Sequence, residues 1–328
     1  MENGEILQQN FSQLGLETTF VKKTTSPNAI TYFFNLTSIS DYDEKRIDKL
    51  ITQIAVFNHL DLFFKKTKEA HFAVVMNIPQ QKISLYKLIY PSFEKVVIGI
   101  DESNNKVEID FDKCAHLLIA GTTGSGKSVL LHNLLINIYG HYAHHKFDKA
   151  EIIIIDPKGN ELNHYKDCVN TCFIDDTKQA IETLKKCCVE MDKRYKEPGY
   201  EYRDLFIVID ELADLMLTSR YEVEESIVRL AQKGRACNIH LIIATQRPTV
   251  DVVSGLIKAN ITTRIALKVA SMRDSMNILD HKAAETLRGY GDALIKYPTL
   301  VNEIRFQVAL PEKEFENAII DINKRRLG

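Results

Sequence analysis

The chain has 328 residues, of which 45% are hydrophobic and 26% are charged, and its formal net charge is −2. This composition is that of an ordinary globular protein, and the length is sufficient for two domains. It excludes a broadly basic nucleic-acid-binding chain, so any contact with nucleic acid must be confined to a local surface. No apolar run approaches the length of a membrane span and no signal-peptide pattern opens the chain. We therefore expect a cytoplasmic protein without membrane insertion of its own.

The first 95 residues predict a small α/β domain to which the sequence assigns no chemistry. Residues 30–36 and 71–78 are rich in β-branched and aromatic side chains, which is typical of strands. Between them, residues 43–60 carry apolar side chains at helical spacing after an acidic start that suits a helix N-terminus. We expect one domain at 1–95 and a second at 96–328.

Residues 116–131, HLLIAGTTGSGKSVLL, have the pattern of a phosphate-binding loop. A short apolar run is followed by G-x-x-x-x-G-K-[ST] at 121–128 and then by an apolar-faced helix. Glycines let the N–H groups of such a loop point at phosphate oxygens, and the helix adds the positive end of its dipole. We expect Lys127 to reach the β- and γ-phosphates and Ser128 to ligate Mg²⁺. The other predicted nucleotide contacts are the loop residues Gly121, Thr122, Thr123, Gly124, Ser125 and Gly126.

Two later strand ends carry polar residues that suit nucleotide hydrolysis. The apolar run 205–209 ends in Asp210 and Glu211, where Asp210 would hold Mg²⁺ and Glu211 would polarise the attacking water. Having both acids favours a hydrolase over a passive nucleotide switch, and the lack of an Asn-Lys-x-Asp motif favours ATP over a guanine nucleotide. The run 241–244 is followed by Gln246, which either senses the γ-phosphate or orients water, or is an ordinary strand-end amide.

Apolar strands alternate with helices from residue 116 onward, and two short strands around a turn are predicted within 96–111. The helix predicted at 177–196 is capped by Asp176 or Thr177 and has one apolar stripe. This order indicates an α/β fold with a mainly parallel sheet and helices on both faces. The predicted strands of that sheet are 116–120, 152–155, 205–209, 241–244 and 261–269.

Cysteine and histidine patterns give little support for a metal-binding site. Cys168 and Cys172 have the spacing of a zinc half-site, but no second pair follows. The six cysteines are therefore interpreted as reduced and structural: Cys114, Cys168, Cys172, Cys187, Cys188 and Cys237. Four histidines lie in or just after the helix that follows the phosphate loop. A solvated polar region is favoured there over a metal site for His132, His141, His144 and His145.

Positive charge is concentrated in one part of the second domain. Residues 229–273 contain eight Lys or Arg and a single acid, Asp251. One interpretation is that these side chains are solvated and point in different directions. The other is a surface for phosphates, either of ATP across a subunit interface or of a nucleic-acid backbone.

Three segments resemble the FtsK/SpoIIIE double-stranded DNA translocase motors, of the HerA/FtsK branch of RecA-like P-loop ATPases. They are GTTGSGKSVL, LFIVIDELADLM and AQKGRACNIHLIIATQRPTVDVVSGLIKANITTRIAL, and the resemblance extends over about 96–295. It implies a RecA-like sheet, with six copies in a ring around duplex DNA. It further implies that Arg235 is an arginine finger that reaches the ATP of the neighbouring subunit. Arg247 and Lys258 stand at basic positions of DNA-facing loops, where they would contact phosphates.

The chain also departs from that family. A second DNA loop, usually similar to SSKIDSR, is SMRDSM here, with Met272 and Met276 at the usual basic positions and Arg273 displaced by one. Arg273 is the candidate for a compensating DNA contact. The membrane anchor and the winged-helix module of large family members have no counterpart in this sequence. We therefore expect a bare motor that transfers or maintains mobile-element, plasmid or phage DNA.

Two other functions remain as alternatives to an ATP-driven DNA translocase. Secretion systems use ATPases of the same family, so protein could be the substrate. The chain could also bind DNA and ATP without translocating. The residues that argue against this second alternative are Glu211 and Arg235, because both suit a hydrolysing assembly.

Overall fold

The computed structural model describes residues 3–27, 29–78, 80–90, 95–145, 150–197, 200–300 and 303–324. The chain divides into two compact units. The first comprises Met1–Lys82 with Ile100–Asn105, and the second comprises Ile83–Gly99 with Lys106–Gly328. The domain boundary at residue 95 stays a prediction.

In its described residues, the first unit has an antiparallel sheet, two α-helices and a short 3₁₀ helix, Ile39–Asp41. Its elements are α1 Asn3–Gln13, β1 Thr18–Thr25, β2 Ala29–Leu36, α2 Glu44–Asn58, β3 Leu62–Lys65 and β4 Phe72–Asn77. The strands pair in the order β1-β2-β4-β3. The Asp43 carboxylate caps α2 by accepting hydrogen bonds from the N–H groups of Lys45 and Arg46. The core of this unit combines buried aromatic side chains, among them Phe11, Phe34 and Phe72, with buried aliphatic ones such as Ile47 and Ile51.

The second unit is built on a large sheet. The elements up to its centre are α3 Leu85–Ile89, β5 Val96–Asp101, β6 Lys106–Ile109, β7 His116–Ala120, α4 Lys127–His145, β8 Ala150–Ile155, β9 Thr171–Ile174 and α5 Thr177–Lys196. The remaining elements are β10 Asp204–Ile209, α6 Leu212–Lys233, β11 Ile239–Thr245, α7 Gly255–Asn260, β12 Thr263–Leu267, α8 Met272–Leu279, β13 Asp292–Lys296, β14 Ile304–Val308 and α9 Lys313–Lys324.

In the described part of the chain this sheet has ten strands, in the order β6-β5-β14-β13-β12-β7-β11-β10-β8-β9. The six from β12 to β9 are parallel to their neighbours, whereas β13 and β14 extend the sheet with antiparallel pairs. The mainly parallel α/β sheet predicted from the sequence is confirmed.

Helices cover both faces of the parallel strands because every second side chain points to the opposite face. In β7, Leu117 and Ile119 pack in the same core cluster as Leu130 of α4. The intervening Leu118 packs in the other cluster, which contains Leu184 of α5 and Leu215 of α6. All five residues of β7 are buried, which accounts for its continuous apolar sequence.

The parallel arrangement places the carboxyl ends of β7, β8, β10, β11 and β12 at one edge of the sheet, here called the carboxyl edge. The phosphate-loop motif follows β7, and the predicted acids follow β10. Ligands of open α/β sheets bind outside this edge. Among the described residues, no helix has both the length and the apolar character needed to cross a bilayer.

Candidate nucleotide site

The phosphate loop has a backbone that only glycine accommodates at two positions. Gly124 and Gly126 have positive φ angles of 78° and 104°. A β-carbon on Gly126 would lie 2.6 Å from the backbone nitrogen of Gly291. This close approach braces the loop, because the Gly291 N–H donates to the Ser125 carbonyl at 2.7 Å and the Tyr290 N–H donates to the Gly124 carbonyl at 3.2 Å.

The loop has polar groups that suit a phosphate chain. The Ser125 hydroxyl is buried and has no hydrogen-bond partner among the described residues. Ser128 is half-buried, and its hydroxyl likewise makes no hydrogen bond in the part of the chain that the structure describes. Because α4 begins at Lys127, the free N–H groups of its first turn also lie at this loop. An orphaned hydroxyl, left-handed glycines and a helix N-terminus together fit the phosphates of a nucleotide.

Lys127 and Asp210 form an ion pair inside this site. The Lys127 Nζ donates to Asp210 Oδ1 at 2.6 Å and to the Asp210 carbonyl at 2.8 Å. The two side chains are 3% and 2% exposed. Burial raises the pKa of Asp210 above its usual range even though the Lys127 cation opposes that shift. The structure thus brings the predicted phosphate-binding lysine and the predicted Mg²⁺ ligand into direct contact.

Glu211 is held in place by the end of the neighbouring strand β11. Its Oε1 accepts a hydrogen bond from the Thr245 hydroxyl at 2.6 Å, and its Oε2 accepts one from the Gln246 N–H at 2.9 Å. The Gln246 side chain in turn accepts a hydrogen bond from the Thr123 hydroxyl at 3.0 Å. Gln246 therefore links the phosphate loop to Glu211. Sequence reasoning missed Thr245, and its only signal was its position at the end of an apolar strand beside Gln246.

The polar end of β8 has a structural role. Asp156 is fully buried, and its carboxylate accepts hydrogen bonds from the N–H groups of four residues of the next loop: Lys158, Gly159, Glu161 and Leu162. These bonds use the lone pairs of both oxygens. Asp156 consequently shapes the loop beside Asp210 and offers no open ligand position.

Arg235 lies at the opposite edge of the sheet from the phosphate loop. It belongs to a short 3₁₀ helix, Gly234–Cys237, that precedes β11, whereas Gln246 at the other end of β11 contacts the loop. The seven residues of β11 span about 20 Å. Arg235 is exposed, and its guanidinium has no partner among the described residues. An arginine side chain cannot bridge that distance, so Arg235 does not reach the phosphate loop of its own chain.

Half of the basic residues in 229–273 are paired with acids of the same chain. Asp192 lies 2.7 Å from Arg229 and 3.9 Å from Lys233. Asp280 lies 3.3 Å from Lys258 and 2.8 Å from the nearly buried Arg264. These cations, together with Lys296, hold the pKa of Asp280 well below its usual range although burial opposes the shift.

The other four basic residues of this span are exposed, and their side chains have no ion-pair partner in the described residues: Arg235, Arg247, Lys268 and Arg273. Three of them follow β11 or β12 and so lie toward the carboxyl edge, with Arg235 as the exception. Met272 and Met276 are also exposed, on the first turns of α8 beside Arg273. The predicted DNA contacts Arg247 and Arg273 are therefore available to a partner, whereas Lys258 is engaged with Asp280.

The six cysteines are free thiols, of which Cys172 alone is exposed. In the described residues, Cys168 and Cys172 are not joined by a third side chain that could ligate a metal. His144 and His145 have side chains outside the described set.

Residues 90–198 and 196–250 match the model of the FtsK/SpoIIIE family. The chain belongs to the FtsK/SpoIIIE family. The matched residues include the phosphate loop, Asp210, Glu211, Arg235 and Gln246.

Curated members of the family resemble the chain over different lengths. The DNA translocase FtsK of Caldanaerobacter subterraneus subsp. tengcongensis is 35% identical over 99% of this chain and 49% of its own length. The DNA translocase SftA of Bacillus subtilis is 44% identical over 60% of this chain and 23% of its own length. The chain thus spans about half or less of these relatives.

Solved structures share the fold. The conjugation coupling protein TcpA of pCW3, solved as a monomer with ATPγS, superposes with a TM-score of 0.69 over 98% of this chain and 99% of its own, at 22% identity. The cytoplasmic domain of the secretion ATPase EccC from Thermomonospora curvata gives a TM-score of 0.60 over 75% of this chain and 33% of its own, also at 22% identity. These likenesses confirm the RecA-like P-loop ATPase fold.

Proposed function

We propose that the chain hydrolyses ATP to move along double-stranded DNA, and that it does so as a ring, with a hexamer as the expected form. Membership of the FtsK/SpoIIIE family supports this proposal, because the relatives that resemble it over most of its length are named DNA translocases. The site residues support hydrolysis, since Glu211 lies beside a phosphate loop with an intact lysine. The transfer or maintenance of mobile DNA stays a prediction.

The position of Arg235 is the observation that supports an assembly most directly. A free arginine far from its own phosphate loop can stabilise transition-state charge only on a nucleotide held by another subunit. An interface of this kind joins different surfaces of two copies and closes into a ring when the rotation permits. Hydrolysis would then depend on assembly.

The roles proposed for the nucleotide site follow from its contacts. Ser128 and Asp210 would hold Mg²⁺, which when bound neutralises charge on the phosphates. Lys127 would leave Asp210 and contact the phosphate oxygens, because the Asp210 carboxylate and the phosphates compete for the Lys127 ammonium group. Glu211, already oriented by Thr245, would accept the proton of the attacking water.

The proposed DNA surface consists of exposed cations toward the carboxyl edge. Arg247 and Arg273 are free to contact backbone phosphates, which carry no sequence information and so suit movement over any sequence. Lys258 is the weakest of the three predicted contacts because its side chain is only 19% exposed and is already paired with Asp280. The variants that test these contacts are therefore Arg247→Ala and Arg273→Ala, with Lys258→Ala as the matched comparison.

The test is ATP hydrolysis with and without linear duplex DNA across a salt series, with Glu211→Gln as the inactive control. We expect strong stimulation that falls as salt rises. Each arginine variant should reduce the magnitude of the slope of log DNA affinity against log salt concentration by about one, whereas Lys258→Ala should leave that slope unchanged. Displacement of a triplex strand would demonstrate translocation. Hydrolysis that is indifferent to DNA would contradict the proposal and favour a protein substrate.

A further inference from the structure

Two histidines and a glutamate from three separate elements converge on one point of the second unit, apart from the nucleotide site. His132 lies on α4, His164 on the 3₁₀ helix Asn163–Tyr165, and Glu316 on α9. One ligand atom from each lies within 4.8 Å of the other two, and this is the one such group of three found among the described residues. The group was not predicted, because His164 and Glu316 are distant in sequence from His132.

The distances within this group suit a tetrahedral metal ion. Glu316 Oε1 lies 3.1 Å from His132 Nδ1 and 2.9 Å from His164 Nε2. Ligands about 2.0 Å from a tetrahedral zinc ion lie roughly 3.3 Å from one another. The two imidazole nitrogens therefore need to move away from Glu316 Oε1 by only a few tenths of an ångström to reach that spacing, and the two nitrogens lie within 4.8 Å of each other.

Without a metal ion, more groups contact one oxygen of Glu316 than that oxygen has lone pairs. The Tyr165 hydroxyl also donates to Glu316 Oε1, at 2.8 Å, so three groups share a single carboxylate oxygen that has two lone pairs. A cation would satisfy the carboxylate and both imidazole nitrogens at once. The Tyr165 hydroxyl would then be the outer hydrogen bond that commonly orients a ligating carboxylate.

We propose that His132, His164 and Glu316 bind a divalent first-row transition metal, with zinc as the expected ion. Imidazole nitrogen with one carboxylate is a donor set that suits zinc, copper, iron and nickel, whereas calcium and magnesium prefer oxygen alone. The His164 side chain is 44% exposed, so an ion could reach the site from solvent.

The metal has a structural role, joining α9 to the helix of the phosphate loop. His132 follows Lys127 by five residues, so it lies about 7.5 Å from Lys127 along the axis of α4. Glu316 lies in the first turn of α9, whose buried face contributes Ile319 and Ile320 to the core. The ion would thereby fix the start of α9 against α4.

The test is zinc titration of the full chain, purified without a histidine tag and stripped with a chelator. We expect one zinc per chain by calorimetry, and at least about a tenfold loss of affinity in His164→Gln and in Glu316→Gln. The matched control is His281→Gln, because His281 Nε2 lies 2.8 Å from Glu303 Oε1 without a second histidine in that pair. Absence of stoichiometric binding, or equal affinity in all four proteins, would overturn the site.

A stability readout separates this site from scattered surface binding. Zinc at about 100 times its dissociation constant favours the folded state about 100-fold, which raises the unfolding temperature by several degrees. We expect this rise in the parent chain and in His281→Gln but not in His164→Gln, whose exposed side chain can be replaced without loss of core packing. An equal rise in all three would show that the zinc binds elsewhere.

Discussion

Lys127 and Asp210 neutralise each other in a buried place where water cannot solvate their charges. Both side chains are almost fully buried, so either charge alone would be left without solvation if its partner were removed. In the proposed nucleotide complex this pair would open, because the phosphates would take Lys127 and Mg²⁺ would take Asp210. The pair would then link the stability of the free protein to its affinity for nucleotide.

Replacing Lys127→Ala should lower the free energy of unfolding by about 3–5 kcal/mol, because Asp210 is left as an unpaired buried charge. Adding Asp210→Asn to that variant should recover most of the loss, since the second change removes the charge. Urea unfolding measures both effects, and neither variant should bind ATP.

The pair of the exposed Lys158 and the half-buried Asp214, whose charged atoms lie 3.7 Å apart, supplies the control. Lys158→Ala should change the free energy of unfolding by no more than about 0.5 kcal/mol. A loss of similar size in Lys127→Ala, or unchanged ATP affinity in that variant, would contradict the role assigned to the buried pair.

Elements with long, regular patterns were predicted from the sequence. The helix predicted at 177–196 is α5, and Asp176 caps it by accepting a hydrogen bond from the Gln179 N–H. Its apolar stripe and its cap are both local signals. The four-residue strand β9 was missed because an edge strand with an exposed Cys172 has no continuous apolar pattern. The antiparallel strands β13 and β14 were also not specified, because their pairing depends on contacts distant in sequence.

More of the nucleotide site than of its surroundings could be predicted from the sequence. Strand ends of a parallel sheet share one edge, so the sequence placed Lys127, Asp210 and Gln246 together before any contact was known. The pairing of Lys258 with Asp280 depends on side-chain packing between separate elements and has no local signal. The convergence of His132 with Glu316 was missed for the same reason.

The central pair of strands, β7 and β11, contains a histidine that acts as a hydrogen-bond acceptor. His116 Nδ1 accepts the N–H of Leu241 at 3.2 Å. Burial, with a smaller contribution from nearby His240, lowers the pKa of His116 from 6.5 to about 4. Protonation would place an uncompensated charge in the sheet and remove the acceptor.

This histidine should make the folded state less stable in mild acid. The pKa of His116 is lower in the folded state than in the unfolded state. The stability that depends on its neutral form is therefore fully present above pH 6.5 and is lost as pH falls toward about 4. The expected loss is about 3 kcal/mol. Urea unfolding at pH 7 and pH 4.5 should show a smaller difference for His116→Gln than for the parent. An identical pH dependence in the two proteins would exclude His116 as the cause.

The two ends of β11 carry complementary halves of one proposed catalytic site. One end holds Gln246 and the phosphate loop, and the other is preceded by the free Arg235. A molecule with these halves on opposite edges of its sheet cannot complete a site alone. Repetition of one interface would complete every site, which is the property of a closed ring.

Mixing two inactive variants tests this arrangement directly. Arg235→Ala should bind ATP and assemble but lose roughly 10³–10⁵ in turnover, as is typical for removal of an arginine finger. Glu211→Gln should be inactive because it lacks the base, yet it still supplies an intact Arg235. In an equal mixture, about a quarter of the interfaces would join an intact Glu211 to an intact Arg235 of the neighbour. ATP hydrolysis should therefore recover on mixing.

The control for this experiment is the mixture of Arg235→Ala with a chain that carries both Arg235→Ala and Glu211→Gln. That mixture assembles equally but contains no intact arginine, so it should stay inactive. Recovery in the first mixture alone would show that the arginine acts between subunits, because subunit exchange is the same in both. If neither mixture recovers although both assemble, or if Arg235→Ala alone keeps near-normal turnover, Arg235 does not act on the neighbouring nucleotide. The basis of the proposed ring would then have to be sought in another surface of the molecule.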